Sequence, residues 1–324
     1  DLDVVFLGTG GSVPTARRST AAVLVRRGGE RLLFDCGEGT QRQMQRSTGL
    51  VQLDRIFITH YHADHWLGLP GLLKTYDLVG RDRPLTLHGP PGLRELLGTL
   101  ERLIGRTSYE LALEEIEPGD DVPLGDAAVR PFGVDHRARA QGYALVEEPR
   151  PGRFDPEAAR RLGVESGPAF GALQRGEEVP GADGPVRPDQ VMGEGRLGRK
   201  IVVTGDTRPC EMTRVAAHHA DLLVHDGSFA AEEAERAQET GHSTARDAAR
   251  LAREAEVRYL ALVHVSTRYN VTGVVEEARE EYPAAEAPRD FDILEIPFPE
   301  RGEPRLIPKG ARERPREAPQ AQPG

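Results

Sequence analysis

Cysteine is nearly absent from this chain: Cys36 and Cys210 are its only two, and they do not form a close pair. That scarcity argues against a disulfide framework or a thiolate zinc site, so any metal must be held by His and carboxylate. Lysine is scarce too, confined to Lys74, Lys200 and Lys309, with Arg carrying the remaining positive charge. No apolar run approaches the roughly 20 residues that a membrane-spanning helix requires, so no membrane partner is expected. No charged-then-apolar leader precedes the first apolar strand, and the expected compartment is the cytoplasm. Basic residues are outnumbered, 42 against 52 acidic ones for a net charge of -10, so contact with a polyanion would need a local patch.

What remains is 324 residues, 38% of them apolar, ample for a buried core in one large or two modest domains. Short β-rich runs at 2–7, 21–26, 31–34 and 55–59 predict one sheet, punctuated by Gly10-Gly11 and Gly28-Gly29. Helical periodicity follows at 66–78 and 93–104, and strands return at 85–88, 127–134 and 142–146. A second block sets apolar runs at 201–204, 222–225 and 259–264 among helical patterns at 211–217 and 245–254. Two sheets with outer helices fit this order, an α/β (α+β) arrangement. Between the halves, 147–199 is rich in Pro and Gly, which by composition favours a disordered linker, although 158–162 allows a helical turn or two. The stretch 300–324, with Arg312, Glu313, Arg314, Pro315, Arg316 and Pro319, reads as a solvated, mobile tail.

The densest chemistry lies in Thr59-His60-Tyr61-His62-Ala63-Asp64-His65, directly after an apolar strand. In extended chain alternate residues share a face, so His60, His62 and Asp64 can converge while His65 opens the next helix. So many donors crowded together without a cation would leave mutually repelling groups, and the segment reads as a metal site. Three later strand ends carry further candidates: His136 in Val-Asp-His, Asp206 in Thr-Gly-Asp-Thr, and His264. Taken singly, Asp206 could cap a helix and His264 could be an ordinary strand-end residue.

Together these residues resemble the signature of the metallo-β-lactamase superfamily. The resemblance implies an αββα sandwich and two zinc ions per subunit. It implies that His60, His62 and His136 hold one ion, that Asp64, His65 and His264 hold the other, and that Asp206 bridges them. Imidazole and carboxylate suit zinc, while manganese or iron could use the same donors. Further stretches are similar to the tRNase Z family: Phe6 to Pro14 followed by Arg17-Arg18-Ser19, Leu33 to Gln41, His242-Ser243-Thr244, and Ser266-Thr267-Arg268-Tyr269. That likeness implies a precursor tRNA substrate and a homodimer. It assigns His242 general-acid work, oriented by Asp226 where relatives often carry Glu, and makes Asp64 a second catalytic group acting on water. Arg268, Arg17 and Arg18 become candidate substrate contacts.

Other readings of these pieces stay open. Ser243 or Thr244 could simply cap a helix, Arg268 could pack on the surface beside Tyr269, and the Asp and Gly residues of 33–41 could be turn formers. The Pro/Gly-rich excursion resembles a flexible protruding arm that grips the tRNA elbow, with Gly167-Pro168 as its Gly-Pro element, although its Arg residues are nearly offset by acids. The expected organisation is a first half-domain at 1–148, an arm at 149–197, a second half-domain at 198–299 and a tail at 300–324. Competing functions are a small-molecule hydrolase acting on a phosphodiester, sulfate ester or thioester, and an RNA-binding subunit without catalysis.

Overall fold

The computed structural model describes residues 1–311. The β-branched and Leu-rich runs of the first half pair into an eight-stranded sheet. Across it lie Arg305–Ile307, Ile293–Glu295, Leu2–Gly8, Ala22–Arg27, Glu30–Phe34, Arg55–Phe57, Leu85–Gly89 and Leu111–Glu115. From Glu30–Phe34 onward its strands run parallel. The second sheet has seven strands, and Lys200–Val203, Leu222–Asp226, Leu260–Val263 and Ala285–Glu286 are likewise parallel. Strands without polar alternation must be covered on both faces. Leu72, Tyr76 and Leu97 from the helices Leu69–Leu78 and Leu93–Ile104 cover the first sheet, and Ala245–Glu254 packs on the second.

Aromatic rings join the two inner faces. Tyr143 of the second sheet meets Phe57 and Phe34 of the first at centroid distances of 5.3 and 6.0 Å, and its hydroxyl donates to the Ile58 carbonyl at 2.8 Å. The result is the four-layered αββα sandwich, with several parallel strands ending toward one edge. Open parallel sheets generally present ligand sites beyond their carboxyl ends.

Three expectations change. The helix predicted over 66–78 is two helices, Ala63–Trp66 and Leu69–Leu78, because the chain passes Cys36-Gly37 at Gly68. The Gly68 amide donates to the Cys36 carbonyl at 2.8 Å, and a Cβ there would lie 2.1 Å from the Gly37 oxygen. The tail expected from 300 begins as structure: Arg305–Ile307 adds an antiparallel edge strand, with Leu306 opposite Leu294. Its remainder from 312 on, with Arg312, Glu313, Arg314, Pro315, Arg316 and Pro319, lies outside the described residues.

The third change concerns the Pro/Gly-rich span. Gly125–Ala127 and Val146–Arg199 form a compact unit of their own. Asp155 caps the helix Pro156–Arg161 by accepting from the Glu157 and Ala158 amides at 2.9 Å. Pro168–Gln174 and the hairpin Val179–Gly181/Gly184–Val186 follow. Ala159, Val164, Leu173, Val179, Val186 and Val191 are buried together. Each is an apolar residue isolated in sequence, so no periodic pattern announces this core; turns bring its members together.

Candidate metal centre and active site

Strand ends deliver the donors. His60 follows Arg55–Phe57, Asp206 follows Lys200–Val203, and His264 follows Leu260–Val263. His62 ends the extended stretch, and the helix Ala63–Trp66 then turns Asp64 and His65 away from it. Asp64 therefore does not converge with His60 and His62 as the extended reading expects. Potential ligand atoms of His60, His62, His136 and Asp206 lie within 4.8 Å of one another, as do those of Asp64, His65 and His264. Asp206 stands between these groups: its Oδ1 is 3.3 Å from His65 Nε2, and its Oδ2 is 3.4 Å from His264 Nε2 and 3.7 Å from His60 Nε2.

The donor set fits cations. His60 Nε2, His65 Nε2 and Asp206 Oδ1 are buried without an aligned hydrogen bond, the 3.3 Å approach of the last two being an ion-pair contact only. Leaving such groups unpaired costs free energy, and a cation among them removes that cost. The far ring nitrogens are held so that the inner ones face the cluster. Asp35 Oδ2 accepts from His65 Nδ1 at 2.7 Å, the Gly241 carbonyl accepts from His136 Nδ1 at 2.7 Å, and Thr59 Oγ1 lies 3.1 Å from His60 Nδ1. Such outer partners fix ring orientation and tautomer.

Backbone strain collects here. Asp35 and His264 adopt φ of 57° and 60°, a region few non-glycine residues enter. Gly11 presses so close to His264 that a Cβ would sit 2.4 Å from its carbonyl oxygen. Gly205, at φ +64°, packs so close to Thr59 that a Cβ would lie 2.7 Å from its Oγ1, and Asp206 follows it.

Protonation follows from crowding. Burial, with His65 nearby, holds the His60 imidazole well below its usual range. Burial works against charge on His65 too, yet Asp206 and Asp35 hold it well above that range. His264 behaves likewise: burial opposes charge, but Asp206 and Asp64 raise it to about 9. Burial disfavours ionised Asp206, and His264 and His65 overcome it, holding the carboxylate far below the ordinary value. Asp206 and the His65 and His264 imidazoles thus hold one another ionised.

Beside it lies a second pair. His242 Nδ1 is 2.8 Å from Asp226 Oδ2 and 3.8 Å from Asp206 Oδ2. Burial opposes a charge on His242, but the Asp226 hydrogen bond and its negative charge raise the imidazole above its usual range. Thr244 caps Ala245–Glu254 by accepting from the Asp247 amide at 3.1 Å, while Ser243 Oγ donates to the Thr207 carbonyl at 2.7 Å. The two residues after His242 thus anchor its loop. His225 is wholly buried, its Nδ1 donating to the Asp226 carbonyl at 2.8 Å.

The arginines divide. Arg17 is exposed, while Arg18 turns inward and donates to Thr9 Oγ1 at 2.6 Å and to the Pro288 carbonyl at 3.0 Å. An arginine committed in this way is a latch on the Thr9 loop rather than a free phosphate contact. Arg268 is exposed, with Nη1 3.6 Å from Glu233 Oε1. Gly167 precedes Pro168–Gln174 within the second unit, at φ 135°. Sequence reasoning missed two partners, the Asp35 carboxylate and the Ser12 amide, which donates to Asp64 Oδ2 at 2.9 Å. Asp35 left a signal, an acid directly after an apolar strand; the Ser12 amide left none.

A model of the Metallo-beta-lactamase superfamily matches residues 15–264, and with the four layers and the His/Asp cluster it defines this chain as a member of that class. Ribonuclease Z of Haloferax volcanii is 51% identical over 302 residues, spanning 90% of this chain and 94% of the relative. Ribonuclease Z of Myxococcus xanthus is 48% identical, spanning 92% and 98%. The short form of human tRNase Z superposes with a TM-score of 0.65 at 27% identity, covering 91% of this chain and 99% of that one. The chain belongs to the ribonuclease Z family.

Proposed function

We propose that this chain is a zinc-dependent endoribonuclease that removes the 3′ trailer from precursor tRNA, leaving a 3′-hydroxyl on the tRNA and a 5′-phosphate on the trailer. The observation that carries the reading is the His242–Asp226 pair, which opens on the same Asp206 that the clustered histidines surround. A hydrolase for a phosphodiester needs activation of water on one side of phosphorus and a proton for the departing oxygen on the other.

His60, His62 and His136 would hold one zinc and Asp64, His65 and His264 a second, with Asp206 shared. When bound, the pair supplies Lewis-acid polarisation of the phosphate and lowers the pKa of water. The chain's own groups do the rest. Asp64, steadied by the Ser12 amide, orients the attacking water and draws its proton. As the new P–O bond forms and the P–O3′ bond breaks, His242 passes a proton from Nε2 to the 3′ oxygen. Asp226 keeps that imidazole oriented through Nδ1. Arg268 and Arg17, both exposed, supply guanidinium contacts to phosphates flanking the cut.

The unit containing Gly167 and Pro168 serves as an exosite for the tRNA elbow, where duplex form and phosphate matter more than net charge. The enzyme acts as a cytoplasmic homodimer. The test is to incubate zinc-loaded protein with end-labelled precursor tRNA and map the cut. A single cut after the discriminator nucleotide, abolished by chelation and restored by zinc, is expected. Intact precursor alongside rapid hydrolysis of small esters would instead favour a small-molecule hydrolase.

A further inference from the structure

Ser228 lies just past the strand Leu222–Asp226 and is only 4% exposed. Its hydroxyl has three neighbours: Asp226 Oδ1 at 2.6 Å, His264 Nδ1 at 2.7 Å and His242 Nδ1 at 3.4 Å. A hydroxyl carries one proton, and an ionised carboxylate only accepts. The proton therefore goes to Asp226, where charge strengthens the bond, and the hydroxyl oxygen accepts Nδ1–H from His264. That leaves His264 Nε2 toward Asp64 and Asp206, at 3.1 and 3.4 Å. The other Asp226 oxygen accepts Nδ1–H from His242 at 2.8 Å.

One carboxylate thus orients two imidazoles, His242 directly and His264 through a hydroxyl. Their rings stack 5.2 Å apart with 14° between planes, so a turn of one ring crowds the other. Backbone bonds hold the relay in place: the Ser228 amide donates to Asp226 Oδ1 at 2.9 Å, and the Ser266 amide donates to the Ser228 carbonyl at 3.2 Å. Ser266 is two residues past His264, and the Phe229 amide donates to the Ser243 carbonyl at 3.3 Å beside His242, so the link is tied to both loops that carry the rings.

We infer that Ser228 is a positioning residue whose hydroxyl couples the orientation of the metal-facing His264 to that of the proton-donating His242. The inference rests on the roles given to those two histidines under Proposed function. No aliphatic side chain can replace it, because the link requires one group that both donates and accepts.

The test compares Ser228→Ala, Ser228→Thr and the parent. For Ser228→Ala, kcat on precursor tRNA should fall about 10- to 100-fold with KM within about twofold, and zinc should be lost to a competing chelator at about 10- to 100-fold lower concentration. Nitrogen-15 NMR of the zinc-loaded parent should show protected Nδ1–H protons on His264 and His242, and the His264 signal should exchange rapidly in Ser228→Ala. Ser228→Thr, which keeps the hydroxyl, should restore all three readouts. Parent-like kcat and zinc affinity in Ser228→Ala would overturn the inference, and so would a folded Ser228→Thr as impaired as alanine, which would point to packing. If alanine unfolds the chain, the parent decides: a His264 Nδ1–H that exchanges rapidly in the folded, zinc-loaded protein would overturn the inference. If the parent fails to cut precursor tRNA, the proposed function falls, while the zinc and NMR readouts still decide the role of Ser228.

Discussion

His242 Nδ1 lies 2.8 Å from Asp226 Oδ2, and that carboxylate is fully buried with every remaining contact a donor. The Ser228 amide and hydroxyl reach its Oδ1 at 2.9 and 2.6 Å, and the Thr207 amide reaches its Oδ2 at 3.2 Å. A side chain held on both oxygens cannot swing, so the direction of the His242 ring is set before substrate arrives. His242→Ala should lower kcat on precursor tRNA by about 10²- to 10⁴-fold, the usual span for a lost proton donor, with little change in KM. Asp226→Asn should move in the same direction, because an amide places an N–H where acceptors are required. Asp226→Glu inserts a methylene into a fully buried site already spanned at hydrogen-bond length, and single-turnover rates should fall for it too. Parent-level cleavage by His242→Ala would remove the proton-donor assignment.

Asp35 touches none of the proposed substrate. It accepts from His65 Nδ1 at 2.7 Å, from Thr59 Oγ1 at 2.9 and 3.1 Å, and from the Thr59 amide at 2.8 Å. Through Thr59 it also braces His60. Asp35→Ala should therefore weaken zinc binding about 10- to 100-fold, read by competition with a chromogenic chelator. Restoring activity with excess zinc would separate this effect from a direct role in chemistry.

The helices Leu93–Ile104, Glu211–Ala217 and Ala245–Glu254 were readable from sequence because apolar residues recur at helical spacing. Thr40–Ser47 was not, since its polar sequence TQRQMQRS offers Met44 as the one apolar side chain to face the core. In the site, the clustering of His60 to His65 is visible in a six-residue window. Asp35 looked like a turn former because its partner lies 30 residues away, and nothing local announces that distance. Arg18 is the opposite case: adjacency to Arg17 suggested a shared role, but its guanidinium is drawn to a carbonyl 270 residues on. Sequence carries side-chain chemistry well and side-chain direction poorly, which is why donors were easier to name than their braces.

Metal loading should release protons. Against the opposing effect of burial, Asp206 and Asp64 push the His264 imidazole up to about 9, so it carries a proton at pH 7, and Asp206 and Asp35 hold His65 well above its usual range. A ligand nitrogen must be bare, and zinc therefore competes with protons on these rings. Apparent zinc affinity should rise as pH climbs through about 9, where His264 loses its proton. The stability of the metal-free fold should run the other way. A folded-state pKa raised above the unfolded value of about 6.5 gives stability that is full below that pH and fades as pH rises through the folded value. Calorimetry in buffers of different ionisation enthalpy would count the protons; a pH-independent affinity would contradict the charged state of these rings.

Residues 149–197, most of the second unit, should be removable without opening its ends. Glu147 and Arg199 flank that span: the Glu147 amide donates to the Arg199 carbonyl at 3.0 Å, and their side chains form a buried ion pair at 2.7 Å. Replacing 149–197 with a short Gly-Ser link should leave that closure intact. Hydrolysis of bis-(p-nitrophenyl) phosphate should stay within a few-fold, while KM for precursor tRNA should rise by about 100-fold, equivalent to ~2.7 kcal/mol of lost binding. Equal losses on both substrates would show that the unit supports the metal site rather than the RNA.

The two cysteines should differ in reactivity, and the difference reports on the site. Cys36 is fully buried, and burial pushes its thiol up to about 12, with Thr40 opposing and Asp35 adding to the rise. Cys210 is half-buried ahead of Glu211–Ala217. At pH 8 the native protein should therefore present one thiol to a disulfide reagent, and Cys210→Ser should present none until it unfolds. The unfolded thiol ionises near ~8.5, so burial of Cys36 contributes stability below that pH, and the contribution fades as pH rises toward the folded value. Cys36 also sits inside the metal scaffold, its amide donating to the His65 carbonyl at 2.8 Å and its carbonyl accepting from Gly68 at 2.8 Å. Labelling Cys36 after transient unfolding should release zinc and end cleavage, whereas Cys210→Ser should keep both. Rapid native labelling of Cys36 in the Cys210→Ser protein would show that the strand-end loop beneath the metal centre opens far more readily than its packing implies.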